Sequence, residues 1–195
     1  MKIYIYKMKI NPMRCFLAID VNNGIAKQIV ELQNRMKKLD VDVKFVKKEN
    51  LHFTMVFFGE LNENEVNMTK AKIGDALVDI HEFRMKIGGI GYFGGKNYIK
   101  VIWLGVKEGE DQFLEMVRRI KNYVNFGEFN THSPHITLCR VKSARNKDSL
   151  FRFINENKDV YIGEITVKNV KLKSSTLTPK GPIYKDISIF NLKHR

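Results

Sequence analysis

Two cysteines in 195 residues, Cys15 and Cys139, are too few for a disulfide framework, and they do not form a metal-ligand spacing. Both stand in apolar, strand-like runs, which predicts buried free thiols and a reducing, cytoplasmic setting. No apolar run approaches the length needed to cross a bilayer, so no membrane partner is expected. Residues 1–9 alternate Lys with Ile and Tyr around no continuous apolar segment, so that stretch does not read as a secretory signal. Acidic residues are also short: 21 Asp and Glu stand against 34 Lys and Arg, a formal charge of +13. The excess predicts an anionic partner, RNA first among the candidates. No linker separates independently folding parts. The glycine-rich stretch at residues 88–95 is followed by neither Gly-Lys-Ser/Thr nor a helix, which argues against a nucleotide-binding P-loop. It reads as a flexible hairpin loop, with Tyr92 and Phe93 at its tip where they could stack on a base.

What the chain does have is a repeated tetrapeptide. His52-Phe53-Thr54-Met55 and His135-Ile136-Thr137-Leu138 both read His-apolar-Thr-apolar, and both lie in short apolar runs. In a strand, residues two apart share a face. His52 and Thr54 therefore point one way and Phe53, Met55 and Phe57 the other; His135 and Thr137 oppose Ile136 and Leu138 in the same manner. A single histidine in an apolar strand is most often a hydrogen-bonded structural residue. Two copies of the same pattern, in a chain with five histidines, point to chemistry.

The elements around the motifs mix strands and helices. Residues 14–21 read as a buried strand with Arg14, Phe16 and Ala18 on one face. Asn22 or Asn23 can cap a helix with Ile25, Ile29, Leu32, Met36 and Leu39 inward. Asn62 or Asn64 opens a second helix, residues 110–126 form a third, and Asp148 can cap a short fourth. Residues 83–87 and 98–106 read as paired strands, and residues 163–172 and 183–191 as two more, turned by Pro179-Lys180-Gly181-Pro182. Strand pairs adjacent in sequence favour antiparallel pairing and an α+β fold, and two motif strands, each near a helix, suggest a duplicated unit. Residues 13–195 are read as one domain. Residues 1–12 are read as an N-terminal extension, either not native, with Met13 as the natural start, or a real addition such as an extra edge strand.

Two imidazoles on opposite walls of a cleft can run a phosphodiester reaction, one neutral and accepting a proton from water, the other protonated and giving one to the departing oxygen. Each such group typically contributes about 10²–10⁴-fold. Thr54 and Thr137 can hold the non-bridging phosphate oxygens. Arg14 and Arg140 can contact phosphate bidentately. Arg140 is awkward, because strict alternation from His135 puts it on the opposite face unless the strand ends or bulges. A three-histidine metal site from His52, His132 and His135 gives the paired threonines no role, so neither metal nor cofactor is expected. His132 reads as an exposed loop residue, and Lys44, Lys100 and Lys142 as an extended basic surface.

The pair resembles the two His-x-Thr/Ser-x motifs of the two-histidine phosphoesterase superfamily, and within it the RNA 2′,3′-cyclic phosphodiesterase family, also called 2′-5′ RNA ligase. Arg14-Cys15-Phe16-Leu17-Ala18 is similar to that family's Arg-x-Phe-x-Ala strand. Residues 52–59 and 134–140 resemble its two motif strands, and Leu177 with Gly181-Pro182-Ile183-Tyr184 resembles its C-terminal strand pair. The resemblance implies two pseudo-symmetric lobes, each an antiparallel sheet backed by helices, with the motif strands facing across a central cleft. It implies that His52 is the proton donor and His135 the acceptor. It also implies an RNA 2′,3′-cyclic phosphate end as substrate, opened to a 2′-phosphomonoester, with 2′-5′ ligation as a reverse-type activity. A monomer is expected. The rival readings are a phosphodiesterase for small cyclic nucleotides and a non-catalytic RNA-binding module.

Overall fold

The computed structural model describes residues 12–194; the expected extension, up to residue 11, lies outside the described residues. In chain order the elements are β1 (Met13–Asp20), α1 (Asn23–Lys37), β2 (Val43–Phe45), β3 (His52–Leu61), α2 (Glu63–Leu77), β4 (Phe83–Gly95), β5 (Tyr98–Glu108), α3 (Glu110–Tyr123), β6 (Glu128–Phe129), β7 (Ile136–Val141), α4 (Lys147–Glu156), β8 (Tyr161–Val167), β9 (Asn169–Thr178) and β10 (Gly181–Asn191). The order β-α-β-β-α occurs twice, as β1-α1-β2-β3-α2 and β5-α3-β6-β7-α4. The duplicated unit is therefore real in the α+β fold.

Asparagines start the first two helices. Asn22 accepts from the Ile25 amide at 2.9 Å. Asn62 and Glu65 form a reciprocal capping box at 3.0 and 2.7 Å. The inward stripes match the helical period: Ile25, Ile29, Leu32 and Met36 on α1, and Phe113, Val117 and Ile120 on α3, are buried. α3 stops at Tyr123, short of residue 126. α4 begins after Asn146, whose side chain makes no capping bond to the helix backbone, and Asp148, expected as the cap, lies inside the first turn.

Among the described residues the strands form one sheet, ordered β10-β9-β1-β3-β7-β5-β4-β8, with antiparallel pairs throughout. The two lobes implied by the resemblance are the halves β10-β9-β1-β3 and β7-β5-β4-β8. They meet at a single register pair, Phe53 opposite Ile136. Both residues are fully buried, and Phe53 packs on Phe113 of α3 with ring centroids 6.3 Å apart. Each repeat lends its short strand to the other half: β2 pairs with β7, and β6 pairs with β3.

Two expectations change. The tail carries three strands, because residues 161–178 break at Lys168 into β8 and β9. β8 is the edge of one half and β9 is the second strand of the other. The Cα atoms of Val167 and Asn169 can be at most about 7 Å apart, so the sheet must curl enough to bring the end of β8 within reach of the start of β9. The glycine-rich stretch is strand rather than loop. β4 continues to Gly95, and only Lys96 and Asn97 turn the chain. A Cβ on Gly91 would fall inside the Trp103 indole, and one on Gly94 would strike the Tyr98 carbonyl. These glycines allow β4 and β5 to close on each other.

Gln33 is the polar member of the α1 stripe. It is 3% exposed and donates to the carbonyls of Val46 and Leu138, both at 2.9 Å, joining α1 to the β2–β7 seam. Gln33→Leu removes both bonds; the Leu138 carbonyl keeps the Val46 amide at 2.9 Å, and the half-buried Val46 carbonyl loses its Gln33 donor, so urea denaturation should show a loss of about 1–3 kcal/mol.

Candidate active site

The two motifs meet where the halves join. Continuing the antiparallel register from the Phe53–Ile136 pair sets His52 against Thr137 and Thr54 against His135. All four side chains line one cleft of about 450 Å³, a size that suits a nucleotide.

The imidazoles are held alike. Nδ1 of His52 lies 2.8 Å from the Asn50 carbonyl, and Nδ1 of His135 lies 2.9 Å from the Ser133 carbonyl. A carbonyl only accepts, so each Nδ1 carries hydrogen and each neutral ring keeps its lone pair on Nε2. Nε2 of His52 lies 3.0 Å from the Thr54 hydroxyl, which can donate to it. Aromatic rings brace both. Phe16 and Tyr184 stand 5.1 and 5.4 Å from His52; Phe93 and Trp103 stand 4.9 and 6.0 Å from His135.

Burial, the largest influence, pushes both imidazoles below the ordinary histidine value of 6.5. At His52 the Asn50 carbonyl and the Asp20 carboxylate pull upward, while Lys173 and His135 push further down. At His135 the Ser133 carbonyl opposes burial. Asp20 is the ladder neighbour of His52. It belongs to a square of charges in which Lys171 and Lys173 each bridge Asp20 and Asp186 at 2.6–3.0 Å. Burial raises Tyr184 above its usual value, with Arg140 partly opposing, so its hydroxyl stays a donor near neutral pH.

A bulge follows the threonine in both motifs. On β3, Thr54 faces Ala18 and Val56 faces Leu17, leaving Met55 as an extra residue. On β7, Thr137 faces Trp103 and Cys139 faces Ile102, leaving Leu138 extra. An extra residue resets the alternation of every later side chain. Arg140 consequently lines the cleft, resolving the conflict that strict alternation posed. Phe57 does the same at the equivalent place on β3, half-exposed, a residue that alternation had sent to the other face.

Arg14 is not among the residues lining the cleft. It is exposed, between Glu60 and Ser175 in the ladder. His132 is also exposed and outside it, and so are Lys100 and Lys142, whereas Lys44 lines it. Tyr92 packs edge-on against Phe151, so of the two ring residues expected at a loop tip only Phe93 approaches a motif histidine. Cys15 and Cys139 are buried free thiols pushed up to about 11 and about 12, too high for thiolate chemistry near neutral pH. No cluster of three or more His, Cys, Asp or Glu side chains placed to hold a metal occurs among the described residues. No described helix is long and apolar enough to cross a membrane. Sequence reasoning missed Asn50, Lys47, Glu128, Phe129 and Lys180 as lining residues. Of the rings around His52, Phe16 carried a signal through the Arg-x-Phe-x-Ala resemblance and Tyr184 through the C-terminal one.

Comparison with known proteins places the chain in a family. The chain is 39% identical over 183 residues to an RNA 2′,3′-cyclic phosphodiesterase of Methanothermobacter thermautotrophicus, covering 92% of this chain and 99% of that one. It is 38% identical to the protein of the same name from Methanocaldococcus jannaschii, covering 90% and 98%. A crystal structure of a Thermus thermophilus protein superposes with a TM-score of 0.76 at 25% identity, covering 93% of this chain and 99% of that one. Apo LigT of E. coli superposes at 0.73 and 20% identity, covering 93% and 98%, a likeness of fold. The LigT-like phosphoesterase model matches residues 19–103 and 104–184, each segment holding one histidine motif. With the model spanning most of the sequence and the relatives nearly all of it, the chain belongs to the LigT-like phosphoesterase family.

Proposed function

We propose that the protein opens RNA 2′,3′-cyclic phosphate ends to 2′-phosphomonoesters, with His52 as proton donor and His135 as proton acceptor. The observation that carries the reading is the pair of imidazoles facing one cleft, each locked through Nδ1 to the carbonyl two residues before it. Such locking leaves the Nε2 atoms for proton transfer. Thr54 and Thr137, each opposite the other motif's histidine, hold the non-bridging oxygens. Arg140 supplies a cationic contact to phosphate, and Arg14 is left for RNA extending beyond the cleft.

The reaction is a displacement at phosphorus. His135 Nε2 takes a proton as water attacks, the bond to the ribose 3′-oxygen breaks, and His52 gives that oxygen a proton. An RNA 5′-hydroxyl in place of water would give a 2′-5′ linkage, but water is far more abundant, so hydrolysis dominates. The same reading takes the enzyme as a cytoplasmic monomer that needs neither metal nor cofactor. Relatives named RNA 2′,3′-cyclic phosphodiesterase support the substrate.

Three outcomes test this reading. His52→Ala should lower hydrolysis of a cyclic-ended oligonucleotide by about 10²–10⁴-fold, yet largely spare a nucleoside 2′-(nitrophenyl phosphate), whose leaving group needs no acid. His135→Ala should cripple both; if His135→Ala is the variant rescued, the roles are reversed. The pH profile follows from the depressed imidazoles. Loss of the His52 proton ends activity as pH rises, so the alkaline limb of kcat/KM should fall below 6.5 in the free enzyme. Bound phosphate anion favours the imidazolium, so the alkaline limb of kcat should lie at higher pH. Coincident limbs would contradict this account. Exhaustive chelation should leave activity intact, and loss restored by zinc or manganese would overturn the metal-free scheme.

A further inference from the structure

The duplicated unit allows each wall of the cleft to be compared with its own counterpart. The bulges align Thr54 with Thr137, Val56 with Cys139, and Phe57 with Arg140. The borrowed strands align in the same way. Phe45 faces Cys139 and Lys44 faces Arg140 on β7; Phe129 faces Val56 and Glu128 faces Phe57 on β3. Lys37 of α1 stands 5.5 Å from the Phe45 ring and Lys121 of α3 stands 6.0 Å from the Phe129 ring, so these two cations balance. The positions at which charge breaks the symmetry are Lys44 against Glu128 and Arg140 against Phe57.

The breaks all run one way. Beyond His52 and Thr137 the cleft ends in the Lys44–Arg140 pair. Lys47 lies between β2 and His52, and Lys180 sits on the β9–β10 turn that Asn50 ties down through the Pro182 carbonyl at 3.0 Å. Beyond Thr54 and His135 it ends in Phe57, Phe129 and Asn130, and in Glu128, the one carboxylate lining the cleft among the described residues. One end attracts a polyanion and the other repels it.

We infer that this gradient sets the direction of the RNA and selects the nucleophile. The inference rests on the cyclic phosphodiesterase reading above. The terminal ribose and the phosphates 5′ to it lie over Lys44, Lys47, Arg140 and Lys180, which delivers the 3′-oxygen to His52. The nucleophile then enters past Phe57 and Glu128 to reach His135. Water passes freely, whereas the 5′-hydroxyl end of a second RNA must bring its own phosphates past a carboxylate. In ligation that hydroxyl oxygen bonds to phosphorus, its proton goes to His135, the bond to the 3′-oxygen breaks, and His52 protonates the 3′-oxygen. The balance of bonds and protons equals that of hydrolysis, so the two outcomes differ in which nucleophile the His135 end admits. Glu128 and Phe57 are the specificity determinants that favour water.

Lys44 and Glu128 are both exposed, so charge reversal at either should leave folding intact. The experiment compares wild type, Lys44→Glu and Glu128→Lys on a cyclic-ended oligonucleotide, a cyclic mononucleotide, and the oligonucleotide with an excess of a 5′-hydroxyl RNA. Lys44→Glu should raise KM for the oligonucleotide about tenfold, while changing the mononucleotide KM about threefold at most. Glu128→Lys should raise the ratio of ligated to hydrolysed product about five- to tenfold, with the smaller change in oligonucleotide KM. Equal and opposite changes in KM with an unchanged product ratio would overturn the inference, and so would a Glu128→Lys effect on KM larger than that of Lys44→Glu. A wild type inert on cyclic ends would refute the cyclic phosphodiesterase reading instead. Anisotropy with an oligonucleotide ending in a 2′-phosphate then still tests the gradient, because Lys44→Glu must weaken binding more than Glu128→Lys strengthens it.

Discussion

The site depends on one backbone register pair. Phe53 and Ile136 are buried and opposed, and they form the only contact in register between β3 and β7 among the described residues. Hydrophobic burial fixes them face to face, and strand alternation then fixes what lies on the other side. Each histidine must stand against the other motif's threonine. A longer β3–β7 ladder would leave no gap for a substrate. With no pairing at all, the two walls would have no common reference. Beyond the pair the strands separate, and β2 and β6 fill the exposed edges, so the cleft is open without leaving long unpaired strand edges.

The electrostatics follow from that placement. Histidines at the seam of a curled sheet lose water, which disfavours the imidazolium and lowers both pKa values. The protonated form is then strengthened by whatever anion enters. The square of Asp20, Lys171, Lys173 and Asp186 adds opposing influences on His52, with Asp20 raising and Lys173 lowering it. Burial alone would depress Lys171 and raise Asp186, but each is shifted the other way by its partners, so all four charges are mutually supported beside the ring.

Duplication explains why the site has two similar halves, and its departures from symmetry explain how the halves can differ in role. The backbone devices are shared: a carbonyl two residues back for each Nδ1, a bulge after each threonine, a borrowed strand with a phenylalanine beneath a lysine. The side chains that differ lie one step farther out, at Lys44 and Glu128 and at Arg140 and Phe57. Position is thus set by the repeated backbone, and direction by a few charges at the rim.

The sequence by itself determined the motif faces, the helix stripes, the asparagine starts of α1 and α2, and the membership of the fold class. All of these are local: they depend on periods of two and 3.6 residues or on a cap three residues away. Tertiary structure alone decided the rest. Arg140 and Phe57 reached the cleft through bulges at Leu138 and Met55, residues that look like ordinary strand positions because a bulge is defined by the partner strand. The break at Lys168 carries no turn residue and appears only because β8 and β9 pair with different neighbours. The glycines of β4 read as a loop until Trp103 and the Tyr98 carbonyl showed what they make room for. Tyr184 and Lys180 come to His52 from the far end of the chain, and Glu128 acquires meaning only opposite Phe57. Local periodicity records which way a side chain points, whereas the partner it meets is set by long-range pairing that no short stretch of sequence contains.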